Sequence, residues 1–240
     1  MITFSTISAS YDGVHQAVEN VSFATTKPAI VGIIGPNGAG KSTFIKAALQ
    51  LIPATGKVTV NDQPLASFQK KIAYVEQKSA IDYTFPITVK EVVSLGLYPN
   101  MRLLQRISQQ QWQQVKSALA AVEMTEFAER QIGELSGGQF QRVLIARTLV
   151  QEADYIFLDE PFAGIDAASE AIIVALLRQL RDNGKTIFIV HHDLGKITEY
   201  FDELVMLNQR LIAYGTVADV FTDVNLKGTF GDSIIVKGGI

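Results

Sequence analysis

Apolar and polar positions alternate in places along the first 26 residues, at Ile2 and Phe4 and again at Val21 and Phe23, with a break at Tyr11-Asp12-Gly13. A period of two around a glycine-bearing break predicts short strands joined by a turn. Residues 29–34 are a continuous apolar run, the pattern of a strand buried on both faces. That run leads through a glycine-rich turn into residues 42–51, which read as a helix. Strand-like stretches follow at 56–60 and 71–77, and segments 88–97 and 109–124 carry helical spacing. A helix is expected over 136–150, a strand over 155–158, a helix over 167–182 and a strand over 186–190, with small strand and helix pieces closing the chain.

Strands alternating with helices imply an α/β fold with a mostly parallel sheet covered on both faces. The helical block over 88–134 interrupts that alternation. With the helix after it, it reads as a helical subdomain of about 88–150 inserted into the α/β core. No Pro/Gly/Ser-rich linker separates the parts, so the chain, 1–240, reads as one domain with lobes.

Composition narrows the function. With 240 residues, 48% of them hydrophobic and 19% charged, the chain is that of a globular protein with a sizeable core. Its 21 basic and 24 acidic side chains give a formal charge of −3, which offers no basic field for nucleic acid. The absence of cysteine excludes disulfides, thiol chemistry and thiolate metal sites, and fits the cytoplasm. The first residues have neither a basic region nor a long apolar stretch, so no secretory leader is expected. No apolar run is long enough to span a bilayer, so work at a membrane would go through other subunits.

Gly35-Pro36-Asn37-Gly38-Ala39-Gly40-Lys41-Ser42 matches G-x-x-x-x-G-K-[ST] between a buried strand and a helix, the context that this motif requires. Glycines let the backbone fold around phosphates, and the helix N-terminus offers its N–H groups to the anion. Lys41 can reach the β- and γ-phosphates and the Ser42 hydroxyl can ligate Mg²⁺. The bland alternative is a glycine-rich turn with an incidental lysine.

Downstream, Ile156-Phe157-Leu158-Asp159-Glu160 is an apolar strand ending in two carboxylates. Adjacent strand residues point to opposite sides, so the pair can divide labour. Asp159 suits Mg²⁺, directly or through water, and Glu160 suits a general base polarising the attacking water. A merely solvated strand end is the alternative.

Leu135-Ser136-Gly137-Gly138-Gln139 reads by itself as a serine N-cap and glycine turn opening a helix, a second anion-binding helix start. Followed by Phe140-Gln141-Arg142-Val143, it resembles the signature of ATP-binding cassette (ABC) ATPases, and the resemblance runs over about residues 2–230 with the motifs in the family's order. It implies a RecA-like P-loop NTPase core with an N-terminal antiparallel β part and an inserted helical subdomain, acting on ATP with Mg²⁺. By the same resemblance Tyr11 stacks on adenine, Thr43 joins the phosphate loop's contacts, and Gln77 senses Mg²⁺ and the γ-phosphate. Asp166, in Gly164-Ile165-Asp166, belongs to a loop that signals across a dimer, and His192 is a switch histidine on the γ-phosphate. Two copies would pair head to tail, with Ser136, Gly137, Gly138 and Gln139 of one closing over the ATP held by the other.

The partners so implied are a second copy of the chain, polytopic permease subunits and, indirectly, an extracytoplasmic solute-binding protein, which places the chain on the cytoplasmic face of the membrane. For the cargo, three stretches resemble the branch importing manganese, zinc or iron: residues 81–88, 160–166 and 190–194. Iron-chelate, haem or cobalamin import is the rival within transport. Soluble ABC ATPases of translation or repair carry two cassettes, long coiled coils or cysteine-bearing zinc insertions. This chain has one cassette, no heptads and no cysteine. A P-loop kinase would leave the signature without a use.

Ile81, Tyr83 and Phe85, close after Gln77, are expected to line a groove for a permease helix; the alternative is that Tyr83 and Phe85 fill the lobe's own core. A metal cluster at His191-His192-Asp193 is disfavoured because consecutive strand side chains diverge. His191 and His15 have no assigned role, and Trp112 reads as a helix packing residue.

Overall fold

The computed structural model describes residues 1–11, 13–77, 84–102 and 104–231. The chain divides into two compact units, Met1–Gln69 with Phe188–Ile240, and Lys70–Ile187.

The first unit is built on strands. β1 (Ile2–Ser10), β2 (Gln16–Thr25), β4 (Thr55–Val60) and β5 (Gln63–Pro64) form an antiparallel sheet in the order β2-β1-β4-β5. In β1 the buried face passes from Ile2 and Phe4 to Ile7 and Ala9, a switch from even to odd positions. An irregularity between Phe4 and Ile7, with Thr6 at φ +51°, inserts the extra residue that makes the switch. Asn20 at φ +52° does the same for β2, between Val18 and Val21. The buried face closes on aromatics: Phe4 stacks on Phe23 at 4.6 Å between ring centroids and meets Phe188 edge-on at 5.5 Å.

Also in this unit, β3 (Ile30–Ile34) is buried at every residue, and β9 (Glu203–Asn208) runs parallel to it, with Val31 opposite Glu203 and Ile34 opposite Met206. β10 (Arg210–Thr216) returns antiparallel along β9. The hairpin is tied to β2 by Tyr214, whose hydroxyl donates to Glu203 Oε2 at 2.6 Å and lies 2.9 Å from Ala24 O. Burial, reinforced by the Glu203 carboxylate, pushes the Tyr214 phenol well above its ordinary pKa. Helix α1 (Lys41–Ala48) follows β3.

The second unit pairs β6 (Ile72–Val75) with β7 (Tyr155–Asp159) in parallel and surrounds one central helix. The expected helix over 88–97 is α2 (Val89–Ser94) continued by a 3₁₀ turn, Leu95–Asn100, where Pro99 ends regular bonding. α3 (Gln109–Ala121) buries Val115, Ala118 and Leu119 at helical spacing. Trp112, one turn before Val115, is still 36% exposed, so its packing is partial. α4 (Gly137–Gln151) is apolar on most sides and packs against α2, α3 and β6. Two of its polar side chains close the backbone of edge strand β6: Arg147 Nη2 donates to Tyr74 O at 3.0 Å and Gln151 Nε2 to Ile72 O at 2.6 Å. α5 (Ala167–Asp182) and β8 (Thr186–Val190) match the expected spans, and the division between the units falls within β8. Short helices α6 (Ile197–Tyr200), α7 (Val217–Val220) and α8 (Asp223–Phe230) complete the described chain.

Candidate functional site

In the first unit the buried strand β3 ends at Ile34 and turns through Gly35-Pro36-Asn37-Gly38-Ala39-Gly40 into α1. Gly38 and Gly40 have φ of +79° and +86°, where a side chain would be strained. A Cβ on Gly40 would run into the Ala17 carbonyl oxygen and one on Gly35 into that of Leu207, so the loop is pressed against β2 and β9. The Gln209 N–H donates to Ala39 O at 2.9 Å and closes the loop on the β9–β10 hairpin. Gly40 at the N-cap has no side chain to cap the start of α1, which leaves the helix N-terminus in the form that receives an anion.

Lys41 is 7% exposed, and its ammonium donates to Gly35 O at 2.8 Å and Pro36 O at 2.9 Å. The cation is thereby drawn back over the loop that precedes it. Ser42 and Thr43 follow, both half-buried. The hydroxyls of Tyr11 and Thr43 are 3.2 Å apart, while the Tyr11 side chain stays 69% exposed. The structure therefore gathers Tyr11, the glycine loop, Lys41, Ser42 and Thr43 on one unit. His191 is buried against the rings of Phe201 and Tyr200, at 5.5 and 6.2 Å, and its backbone N–H donates to Ile33 O at 3.1 Å. It packs at the end of β8. His192, one residue on, is exposed.

The second unit carries the carboxylates. Register along β6 and β7 sets Val75 level with Leu158, so Gln77 and Glu160 each stand two residues past a matched pair. They meet: Gln77 Nε2 donates to Glu160 Oε2 at 2.8 Å. Asp159 is 3% exposed at the end of a strand buried throughout. Glu160, the next residue, is half-buried at φ +49°. A non-glycine residue held there carries about 1–3 kcal/mol of strain, a cost concentrated at functional sites.

Ser136 caps α4: its Oγ accepts from the Gln139 N–H at 3.2 Å, and Gln139 Oε1 accepts from the Ser136 N–H at 2.9 Å. This reciprocal capping box commits the Gln139 side chain to its own helix. The same device opens α2, through Thr88 and Glu91, and α3, through Ser108 and Gln111. Gly138 packs where no side chain fits, since a Cβ would lie 2.5 Å from Ser169 Oγ and 2.6 Å from Asp166 Oδ2. Asp166 in turn caps α5, accepting from the Ser169 N–H and hydroxyl, both at 2.9 Å. Those bonds, with a smaller contribution from Arg142, hold the Asp166 carboxyl below its usual range. The contact between the start of α4 and the Asp166 cap has no signature in spacing alone. Phe85 is 60% exposed rather than in a core, while Ile81 and Tyr83 lie outside the described residues.

A family model described as ABC transporter matches residues 18–163. That is more than half of the chain. The chain belongs to the ABC transporter family. It is 53% identical over 218 residues to the manganese transport system ATP-binding protein MntB of Listeria monocytogenes, covering 90% of this chain and 91% of that one. It is 48% identical over 206 residues to the zinc transport system ATP-binding protein TroB of Treponema pallidum, covering 85% and 77%. A solved structure, the ADP conformation of MJ1267, an ATP-binding cassette of an ABC transporter, superposes with a TM-score of 0.75 at 26% identity, over 93% of this chain and 95% of that one. The fold is thus the P-loop NTPase fold of ABC ATPases, and the chain binds nucleotide. ATP hydrolysis coupled to transport is the family's work, and this chain is the ATPase subunit of a transport complex with a membrane permease. Among the described residues no helix is long and apolar enough to cross a membrane.

Proposed function

We propose that this ABC ATPase powers the import of divalent metal ions, manganese first and zinc or iron next. The observation that carries the reading is 53% identity, over nine-tenths of the chain, to an ATP-binding protein named for manganese transport. Import of an iron chelate, haem or cobalamin is the alternative within transport.

The whole chain acts as one nucleotide-binding domain, with a helical subdomain of about 88–150 inside it. The first unit grips ATP. Tyr11 supplies a ring for adenine, residues 35–43 wrap the phosphates, and Lys41 exchanges its two carbonyl partners for phosphate oxygens. Asp159 and Ser42 would hold Mg²⁺, with Gln77 as a further ligand. Their oxygen donors suit that hard cation, and among the described residues no group of three His, Cys, Asp or Glu side chains forms a site of its own. That fits an ion carried largely by phosphate and water, and when bound it would neutralise charge on the β- and γ-phosphates.

Glu160 accepts the proton of the attacking water, Gln77 orients that carboxylate, and His192 contacts the γ-phosphate. Ser136, Gly137 and Gly138 close over the ATP of a second copy, with Gln139 holding their helix start and Asp166 supporting it. ATP then glues two subunits together and hydrolysis releases them, a switch driven by different contacts in two states. The subunit is peripheral, on the cytoplasmic face, beneath a permease served by an extracytoplasmic solute-binding protein. The exposed Phe85 supports the reading of the segment after Gln77 as a permease groove.

The test is uptake of radioactive manganese, zinc and ferric chelates by cells with and without the chain. Manganese uptake should fall on deletion and return with the intact gene but not with Glu160→Gln. Unchanged manganese and zinc uptake with lost chelate uptake would overturn the cargo.

A further inference from the structure

Asn-Gly occurs twice in the chain, as Asn37-Gly38 in the loop before α1 and as Asn183-Gly184 after α5. An asparagine side chain can close on the next backbone nitrogen, and glycine, with no side chain to shield that nitrogen, hinders the closure least. Asn37 and Gly38 are both exposed, and a Cβ placed on Gly38 would meet nothing within 4 Å. Among the described residues the Gly38 N–H donates no hydrogen bond, and the pair is spanned by the Ala39 N–H donating to Pro36 O at 3.1 Å. At the second site the nitrogen is committed, since the Gly184 N–H donates to Arg181 O at 2.9 Å.

Charge separates the two sites further. Ring closure passes through a state with negative charge on the attacking nitrogen and the asparagine carbonyl oxygen. Asn37 leads into the positive end of α1, and the Lys41 ammonium lies on the two carbonyls just before it, 2.8 Å from Gly35 O and 2.9 Å from Pro36 O. A cradle for phosphate oxygens is equally a cradle for that oxyanion. Asn183 is the C-cap of α5, at the negative end of its helix and next to Asp182, while the Lys185 ammonium is paired with Asp154 at 2.7 Å.

We propose that Asn37 is a self-modification site, which deamidates in the empty subunit and is spared when nucleotide fills the loop. The Gly38 nitrogen bonds to Asn37 Cγ, the Cγ–Nδ2 bond breaks, and ammonia leaves with the proton of the Gly38 N–H. Water then opens the ring. Attack at Cγ gives aspartate, and attack at the main-chain carbonyl gives isoaspartate, with the chain rerouted through Cγ. Either product sets a carboxylate in the loop, and isoaspartate also lengthens it, so ATP binding is lost. The ring closure stands on the loop's own geometry; its effect on ATP rests on the reading of residues 35–43 as the phosphate site.

The purified full chain is kept for days in warm buffer made with heavy-oxygen water, with and without a non-hydrolysable ATP analogue, then digested and its peptides weighed. Asn37 should convert many-fold faster than Asn183, taking up the label, and the analogue should slow Asn37 several-fold while leaving Asn183 unchanged. In urea the two rates should converge. The converted fraction, separated by ion exchange, should have lost ATP binding. An Asn37 that stays intact while Asn183 converts overturns the proposal, and so does a rate difference that survives in urea, because sequence rather than fold would then set it. Fast conversion at Asn37 with no protection by the analogue, in a chain that still binds ATP afterwards, bears out the ring closure and overturns the reading of the loop as the phosphate site.

Discussion

Gln77 and Glu160 are joined by a 2.8 Å hydrogen bond between side chains that the parallel register of β6 and β7 sets side by side. The amide holds one carboxylate oxygen and, on the proposed reading, leaves the other for the attacking water. Glu160→Gln keeps the shape and still accepts from Gln77, but removes the proton acceptor. Turnover should fall by roughly 10²–10⁴ while ATP affinity survives, and ATP should trap a dimer visible by size exclusion. Near-normal turnover would remove Glu160 from the chemistry.

Lys41→Ala takes away the cation that now bridges Gly35 O and Pro36 O. ATP affinity itself should fall, measured by isothermal titration, because the charge on the phosphates is lost. Unchanged affinity would count against the phosphate loop.

Tyr11→Ala should weaken binding by about 1–3 kcal/mol if its ring stacks on the base as aromatics do elsewhere. ATP and GTP should suffer alike, since every purine presents a π-face. A loss confined to ATP would point instead to a hydrogen bond that reads the base.

Gly138→Ala drives a methyl group into Ser169 and Asp166, and Ser169 Cβ, only 2.9 Å from it, cannot swing aside. Overpacking of this kind costs about 1–3 kcal/mol. The melting temperature should drop, and the start of α4 should shift enough to lower ATP hydrolysis. Binding of ATP to the isolated subunit should hold, because the phosphate loop lies in the other unit. A wild-type melting curve would mean that α4 and the Asp166 cap are free to part.

Phe85→Ala removes a side chain that is 60% exposed, so the isolated subunit should keep its melting temperature and basal ATPase. Co-purification with the permease should weaken, since a few aromatics carry most of an interface. Full assembly and uptake in that variant would move the docking site elsewhere.

Long-range chemistry in this chain is written locally, which is why much of it can be read early. The apolar run of β3, the glycine loop after it and the two carboxylates closing β7 each sit within a few residues, and each lies where its pattern put it. What depends on pairing is not legible. The face switches at Thr6 and Asn20 need the partner strand to define them. The hydrogen bond between Gln77 and Glu160 needs the register of residues 83 positions apart. The serine cap at Ser136 is legible by itself, and Gln139 three residues later completes the capping box that closes on it. The β9–β10 hairpin, a small piece by pattern, becomes one wall of the phosphate loop.

Gly40 rests on the Ala17 carbonyl of β2, and Tyr11, from the turn between β1 and β2, reaches Thr43. The ring that would take the base and the loop that would take the phosphates are therefore two jaws of one caliper, fixed to the same sheet. Such a tool measures length. It would grade ligands by the span from ring face to terminal phosphate and leave the edge of the base unread, and a side chain at position 40, meeting the Ala17 carbonyl, should change the gauge for every nucleotide at once.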